Sequence, residues 1–291
     1  MNLRDLEYFH SLCNTKSFTK TAEALYVSQP SITMSLHRLE KELNTKLIIR
    51  DHSKKALSLT EAGIVFEKRA KNILYQMNEA KLEISKINSN KLKLGIPPII
   101  GAYFFPIYIE DLLKDGFAEC IEFVETGSLA MKELLLTGKV DISLIGSLSP
   151  ITDESLDSVI LKKDEFMLCV SEKHSLSKSK KINFKNLENE QFIVLGNSYI
   201  HNKVFEDLCI KNDIAPKKIY YTNEIQTAKS LIASGLGIGI LISMAVSKRT
   251  EIKAIPLLNP IDFYISLTTK RDHYMTSKEN SIRELIINKS K

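Results

Sequence analysis

From Glu61 to Asn88 the apolar residues Phe66, Ala70, Ile73, Met77, Ala80, Ile84 and Ile87 recur at alternating intervals of four and three. A 3.5-residue repeat sustained over three heptads favours a left-handed supercoil of two helices. Glu67, Lys68, Arg69, Lys71, Asn72, Glu79, Lys81, Glu83 and Lys86 fill the intervening positions and are expected in water. The partner this pattern predicts is a second copy of the chain. A single amphipathic helix lying on its own domain is the other reading, and alanine at two seam positions weakens the zipper.

Before that helix, Leu3, Leu6, Phe9, Leu12 and Cys13 stand at helical spacing. Ser17 is placed to cap a second helix carrying Phe18, Ala22 and Leu25 on one face, and Tyr26 and Val27 form a turn. Ser28 is an N-cap for a third helix, with Pro30 tolerated in the first turn, where its missing N–H has no intrahelical partner. Ile32, Leu36, Leu39 and Leu43 face its core side. Pro30, Thr33, Met34, His37, Arg38 and Lys41 face away, and Asn44 suits a left-handed cap. Two short helices joined by a tight turn, the second polar and basic outside, form the helix-turn-helix pattern. Lys46 to Arg50 and Lys55 to Leu59 read as the strands of a β-hairpin wing, with Lys54 and Lys55 near its tip, although two lysines in a solvated loop look the same.

After Lys91 strands and helices alternate. Strands are expected at Lys91–Ile96, Cys120–Glu125, Val140–Ile145, Glu165–Ser171, Gln191–Leu195, Lys217–Thr222, Ile238–Ile242, Ile252–Leu257 and Phe263–Thr269. Helices are expected at Ile100–Leu113, Leu129–Leu136, His201–Asn212, Gln226–Ser234 and Ser277–Asn288. Repeated βα units predict a largely parallel sheet covered by helices, so the class is α/β. The glycines 235, 237 and 239 follow a helix and precede a strand. That is the reverse of a dinucleotide-binding turn and reads as a helix C-cap.

Composition adds limits. The 291 residues exceed one core, so two or three domains are expected, and the 44% apolar and 26% charged fractions are those of a soluble globular protein. No apolar run approaches the roughly 20 residues that span a bilayer. Arg4, Asp5 and Glu7 near the start leave no apolar region for a signal peptide, so a cytoplasmic protein with no membrane partner is expected. Four cysteines without CxxC spacing predict neither disulfides nor a zinc site. Residues 1–90 hold 14 Lys plus Arg against 10 Asp plus Glu, so most of the net charge of +5 sits in that third, pointing to a polyanion there. No nucleophile elbow, phosphate-binding loop or metal motif is present. No enzyme, no catalytic residue, no metal and no cofactor are expected.

The run Ser17, Phe18, Thr19, Ala22, Leu25, Val27, Ser28, Gln29, Pro30, Ser31, then Leu39, Glu40, Leu43, Leu47, Arg50, Leu59, Thr60, Ala62 and Gly63 resembles the N-terminal signature of the LysR-type transcriptional regulators. The resemblance covers about the first 65 residues in unbroken register, and three positions depart from it. Met34 stands where the family often has Arg, Ile48 where it has Phe, and Asn44 where it has Gly. The resemblance implies a winged helix-turn-helix head (1–60), a dimerising linker helix (61–89) and an effector domain (90–291) resembling periplasmic binding proteins. The effector domain divides into subdomain I (90–162 and 262–291) and subdomain II (163–261). Hinges are expected near Leu161–Asp164 and Asn259–Asp262. The implied partners are double-stranded DNA in an AT-rich imperfect palindrome, a small effector, and the chain itself as a homodimer or dimer of dimers. DNA contacts fall to Ser28, Gln29, Pro30, Thr33, Met34, His37, Arg38, Arg50, Lys54 and Lys55.

Ligands of open α/β sheets sit beyond the carboxyl ends of the strands, near helix N-termini whose free N–H groups bind anions. Three turns fit that description: Pro97, Pro98 and Ile99; Thr126, Gly127 and Ser128; and Asn197, Ser198, Tyr199 and His201. For Thr126 and Ser128 plain helix capping is the other reading, and for His201 a structural role. In family members these turns line the cleft between subdomains. No acidic residue lies inside them, which suits a small carboxylate or oxyanion. A different class of function, a small-molecule binding protein or enzyme with N-terminal helices serving only oligomerisation, is disfavoured by the basic outer face of the third helix.

Overall fold

The computed structural model describes all residues except 52–55, 88–90, 247–250, 273 and 291, and falls into two compact units, Met1–Ser85 and Lys86–Lys291. In the first unit local chemistry sets each boundary. Helix α1 (Leu3–Thr15) opens on a capping box between Asn2 and Asp5 and closes at Lys16, whose φ is +52°. Ser17 caps α2 (Phe18–Ala24) by accepting from the Lys20 amide, and Tyr26 turns the chain at φ +53°. Ser28 caps α3 (Gln29–Glu42), which has Pro30 in its first turn, and Asn44 takes the left-handed conformation just beyond it. Leu6, Phe9, Leu12, Ala22, Ile32, Leu36 and Leu39 form the core of this unit. Leu43, expected on that face, is 37% exposed, because α3 ends before it and the chain turns away.

Strands β1 (Ile48–Asp51) and β2 (Ala56–Leu59) pair antiparallel. Helix α4 (Glu61–Ile87) starts so close to β1 that a Cβ at Gly63 would overlap the Leu47 carbonyl oxygen. On α4 the seam divides. Phe66 packs edge-on against Phe9 with ring centroids 5.3 Å apart, and Ala70 is fully buried in the head. Ile73, Met77, Ala80, Ile84 and Ile87 are exposed in the single chain. A straight helix of 3.6 residues per turn carries a 3.5-residue stripe gradually off any surface that its first turns touch.

The second unit begins with β3 (Leu92–Ile96) and α5 (Pro98–Tyr103), followed by a 3-10 turn over Phe105–Tyr108 and by α6 (Ile109–Lys114). The single helix expected over residues 100–113 is therefore broken. Pro106 lacks the N–H that would continue the ladder, and the chain tightens into a 3-10 turn there. Next come β4 (Ile121–Glu125), α7 (Ser128–Leu136), β5 (Ile142–Ser147) and the 16-residue strand β6 (Leu156–Ser171). The chain continues through β7 (Gln191–Leu195), α8 (Ile200–Asn212), β8 (Lys218–Thr222), α9 (Ile225–Ala233) and β9 (Gly239–Ile242). It ends with α10 (Ser243–Val246), β10 (Ile252–Pro256), β11 (Asp262–Lys270) and α11 (Ser277–Lys289).

The main sheet has the order β10-β6-β11-β5-β3-β4 with β9 also on β6, while β7 and β8 pair separately. The sheet is mixed rather than largely parallel. β3 pairs parallel with β4 and β5, but β11 runs between β5 and β6 antiparallel to both, and β9 and β10 run antiparallel to β6. Strand β6 changes partners within its length. Up to Glu165 it faces β11, and from Phe166 it faces β9 and β10. That exchange falls just after the segment 161–164, where a hinge was expected, because those residues still lie in the β6–β11 ladder. Gly235, at φ +83°, ends α9, and a Cβ at Gly237 would come 2.6 Å from the Gln191 carbonyl, so this glycine run serves a cap and a close strand approach.

Candidate functional site

On α3, Ser28, Gln29, Pro30, Met34 and His37 are exposed, and Thr33 is half-buried with its hydroxyl donating to the Gln29 carbonyl at 3.3 Å. Arg38 is exposed and also bonds within the head. Its guanidinium donates to Asp5 Oδ1 at 2.5 Å, and the Ser35 hydroxyl donates to the same oxygen at 2.7 Å. Burial would raise the Asp5 carboxyl, but the hydrogen bonds from Arg38, Ser35 and the Asn2 amide outweigh it and hold the group below its ordinary value. This pair joins α3 to α1, and the Arg38 side chain stays 50% exposed with further N–H donors for its expected DNA contact. Glu40, read only as part of the family motif, is buried and accepts from Lys46 Nζ at 2.7 Å and from the Leu47 and Ile48 amides, fixing the hairpin to α3. Lys54 and Lys55 lie outside the described residues, as does the side chain of Arg50.

In the second unit the three expected turns come together around a cavity of about 30 Å³. Pro97, Pro98, Ile99, Gly127, Ser128, Ser198, Tyr199 and His201 line it, joined by Ile100, Ile200, Ile242 and Phe263. Thr126 and Asn197 do not. The N-caps of α5, α7 and α8 are Pro97, Gly127 and Tyr199, and none has a side-chain cap, so three helix N-termini border one cavity, that of α5 without an N–H at Pro97 or Pro98. Ser128 is the first residue of α7 and not its cap, so the capping alternative does not hold for it. Its Oγ accepts from the Gly146 amide at 3.0 Å, which leaves the hydroxyl hydrogen free to donate.

The cleft is closed. A Cβ on Gly127 would overlap the Ser198 carbonyl oxygen, and the cavity has room for little more than one water. His201 is 3% exposed, and neither ring nitrogen has a hydrogen-bond partner among the described residues. Burial pushes its pKa down to about 3, so the ring is neutral and offers one donor and one acceptor. Ser128 and Ile200 also border a larger outer chamber of about 510 Å³, with Lys203 on its wall and Lys132 paired to Asp153 at 2.5 Å.

No group of three or more His, Cys, Asp or Glu that could hold a metal occurs among the described residues. Burial pushes the Cys13 and Cys169 thiols up to about 12 and the Cys209 thiol up to about 11, so these cysteines are protonated and poor nucleophiles near neutrality.

Residues 3–64 match the family of bacterial regulatory helix-turn-helix proteins of the lysR family, and residues 86–290 match the LysR substrate binding domain. The chain belongs to the LysR family of transcriptional regulators. It is 31% identical over 289 residues to the malolactic fermentation system transcriptional activator of Lactococcus lactis, covering 98% of each chain. Full-length BenM shares the fold, with a TM-score of 0.57 at 24% identity over 99% of this chain and 96% of that one. A full-length OxyR variant from Pseudomonas aeruginosa does so with a TM-score of 0.57 at 21% identity over the whole of both chains. This LysR-type regulator therefore joins a DNA-binding helix-turn-helix domain to an effector-binding domain and is a transcriptional regulator rather than an enzyme. The alternative of N-terminal helices serving only oligomerisation is set aside by the match over residues 3–64. No helix of the described residues is long and apolar enough to cross a membrane.

Proposed function

We propose that this regulator reads an AT-rich, imperfectly palindromic operator with the exposed face of α3, acting in the cytoplasm as a homodimer or dimer of dimers paired along α4. Its affinity for DNA, or the bend it imposes, is set by a small carboxylate or oxyanion bound at the Pro97, Gly127 and Tyr199 turns. The observation that carries this reading is the convergence of three helix N-termini that no side chain caps. Each such terminus acts as roughly half a positive charge. The neutral His201 and the free Ser128 hydroxyl add donors without adding a negative charge. The Lactococcus lactis relative governs a malolactic fermentation system, and an effector drawn from small organic acids suits a chain of that descent.

A thermal-shift screen of small organic acids against their neutral amides on the full chain tests it. An acid at 100 times its Kd is expected to stabilise the protein by about 2.7 kcal/mol, with the matching amide inert. Ser128→Ala, which removes one donor to the anion, is expected to weaken that acid by about tenfold. Stabilisation by neutral or cationic compounds alone contradicts the anion reading, and an acid insensitive to Ser128→Ala places its site elsewhere.

A further inference from the structure

On α9 the inward stripe Ile225, Ala228 and Ile232 is interrupted by Lys229, which is only 4% exposed. A buried ammonium is costly unless paired, and among the described residues no carboxylate forms an ion pair with it. Its Nζ instead donates to the phenol oxygen of Tyr103 at 2.8 Å and to the Ala245 carbonyl, and stands 4.5 Å from the centroid of the Tyr103 ring. The Gln226 amide donates to the same phenol oxygen at 2.8 Å. One oxygen thus receives two donors, one of them charged. Tyr103 is the last residue of α5, the short helix whose first turn, Pro98 and Ile99, lines the closed cavity. Lys229, Gln226 and Ala245 belong to α9 and α10, which flank β9 beyond the point where β6 changes partners.

We infer that Tyr103, Lys229 and Gln226 form a latch that positions α5 and holds the cleft closed while it is empty. The inference rests on the cleft being the effector site and adds how that site is regulated. A helix of six residues has almost no stability of its own, so α5 persists because it is docked, and the latch is its polar anchor. An effector larger than the cavity of about 30 Å³ has to open the cleft against this anchor, so the latch lowers apparent effector affinity by the fraction of time the cleft is open. Lys229 is tied to the latch by desolvation. Without the Tyr103 oxygen a buried cation loses an acceptor that water does not replace.

The test is amide hydrogen exchange on the full-length protein with no acid added, comparing the native chain with Tyr103→Phe, which keeps the ring and removes the oxygen. The Gly101 and Phe104 amides, bonded to the Pro97 and Ile100 carbonyls, report on α5. They are expected to exchange about tenfold faster in Tyr103→Phe, with amides of α7 and of the first unit changed by less than about twofold. The exposed Gln226→Ala, which leaves the core untouched, is expected to act in the same direction by about threefold. Exchange of α5 unchanged in both variants, or raised equally throughout residues 86–291, overturns the latch. No effector is present in this experiment, so its failure leaves the anion reading standing, and a failed acid screen leaves the latch standing.

Discussion

Ile73→Asp in α4 is expected to dissociate the regulator into monomers and to lower its affinity for a full operator by about a hundredfold or more, since one head alone reads half a site. In the single chain Ile73 is 48% exposed, Met77 42%, Ile84 62% and Ile87 60%, a stripe of large apolar side chains along a solvated helix. A carboxylate on that stripe is harmless in a monomer. Pressed into a paired seam it is desolvated without a partner and costs several kcal/mol, which exceeds what a zipper with alanine at two positions can absorb. Phe66 and Ala70 are poorer probes, because both pack against the head and their loss would unfold it. Sedimentation velocity with and without operator DNA measures the outcome. An unchanged oligomer would show that the stripe is not the seam.

Gly127→Ala is expected to prop the proposed effector cleft open. At φ −64° and ψ 153° the backbone of Gly127 suits alanine without strain, so the effect comes from space alone. The added methyl would overlap the Ser198 carbonyl oxygen, which belongs to backbone and has no rotamer to move to. Either α7 or the 196–199 turn has to shift by about 1 Å, an overpacking cost of about 1 to 3 kcal/mol that lowers Tm by about 3 to 10 °C. A cleft already propped open no longer has to be opened by the effector, so the stabilisation expected from an acid in the native chain should be larger at the same acid concentration. Melting curves with and without the acid check both parts. An unchanged Tm together with an unchanged acid response would mean that closure does not depend on this contact.

What the sequence shows of this fold is local. The caps at Ser17 and Ser28, the left-handed Asn44 and the turn at Tyr26 are each decided by one residue and its neighbours, and the helices fall where those residues require. The break in the helix over residues 100–113 was also local, since Pro106 stood in plain view, but the apolar periodicity on both sides of it read as one helix. Partners distant in sequence were hidden. Arg38 lies on the outward side of α3 by helical angle, and nothing near it shows that Asp5, 33 positions earlier, waits buried beside it. The antiparallel insertion of β11 between β5 and β6 depends on the last strand of the domain, and βα repetition near residues 92–147 carries no trace of it.

The candidate cleft followed the same division. That turns after strands gather at one edge is a general property of α/β sheets, and so eight of the ten expected residues line one cavity. Pattern alone does not show that Ser128 is drawn to the Gly146 amide instead of its own helix, or that His201 is buried with neither nitrogen partnered among the described residues. Lys229 did leave a signal, a lysine within an apolar stripe at helical spacing, but its acceptor on Tyr103 lies 126 positions away.

The most direct test of the account is a binding titration with a duplex selected from random sequence and its scrambled counterpart, at about 50 and 200 mM salt, for the native chain and Gln29→Ala. Native affinity for both duplexes is expected to fall by about a thousandfold across that range as phosphate contacts release counterions. Gln29→Ala is expected to lower discrimination between the duplexes by about tenfold, because an exposed glutamine in the first turn of α3 can bridge adenine N6 and N7 in the major groove. Affinity indifferent to salt, or discrimination unchanged by Gln29→Ala, would contradict operator reading by α3.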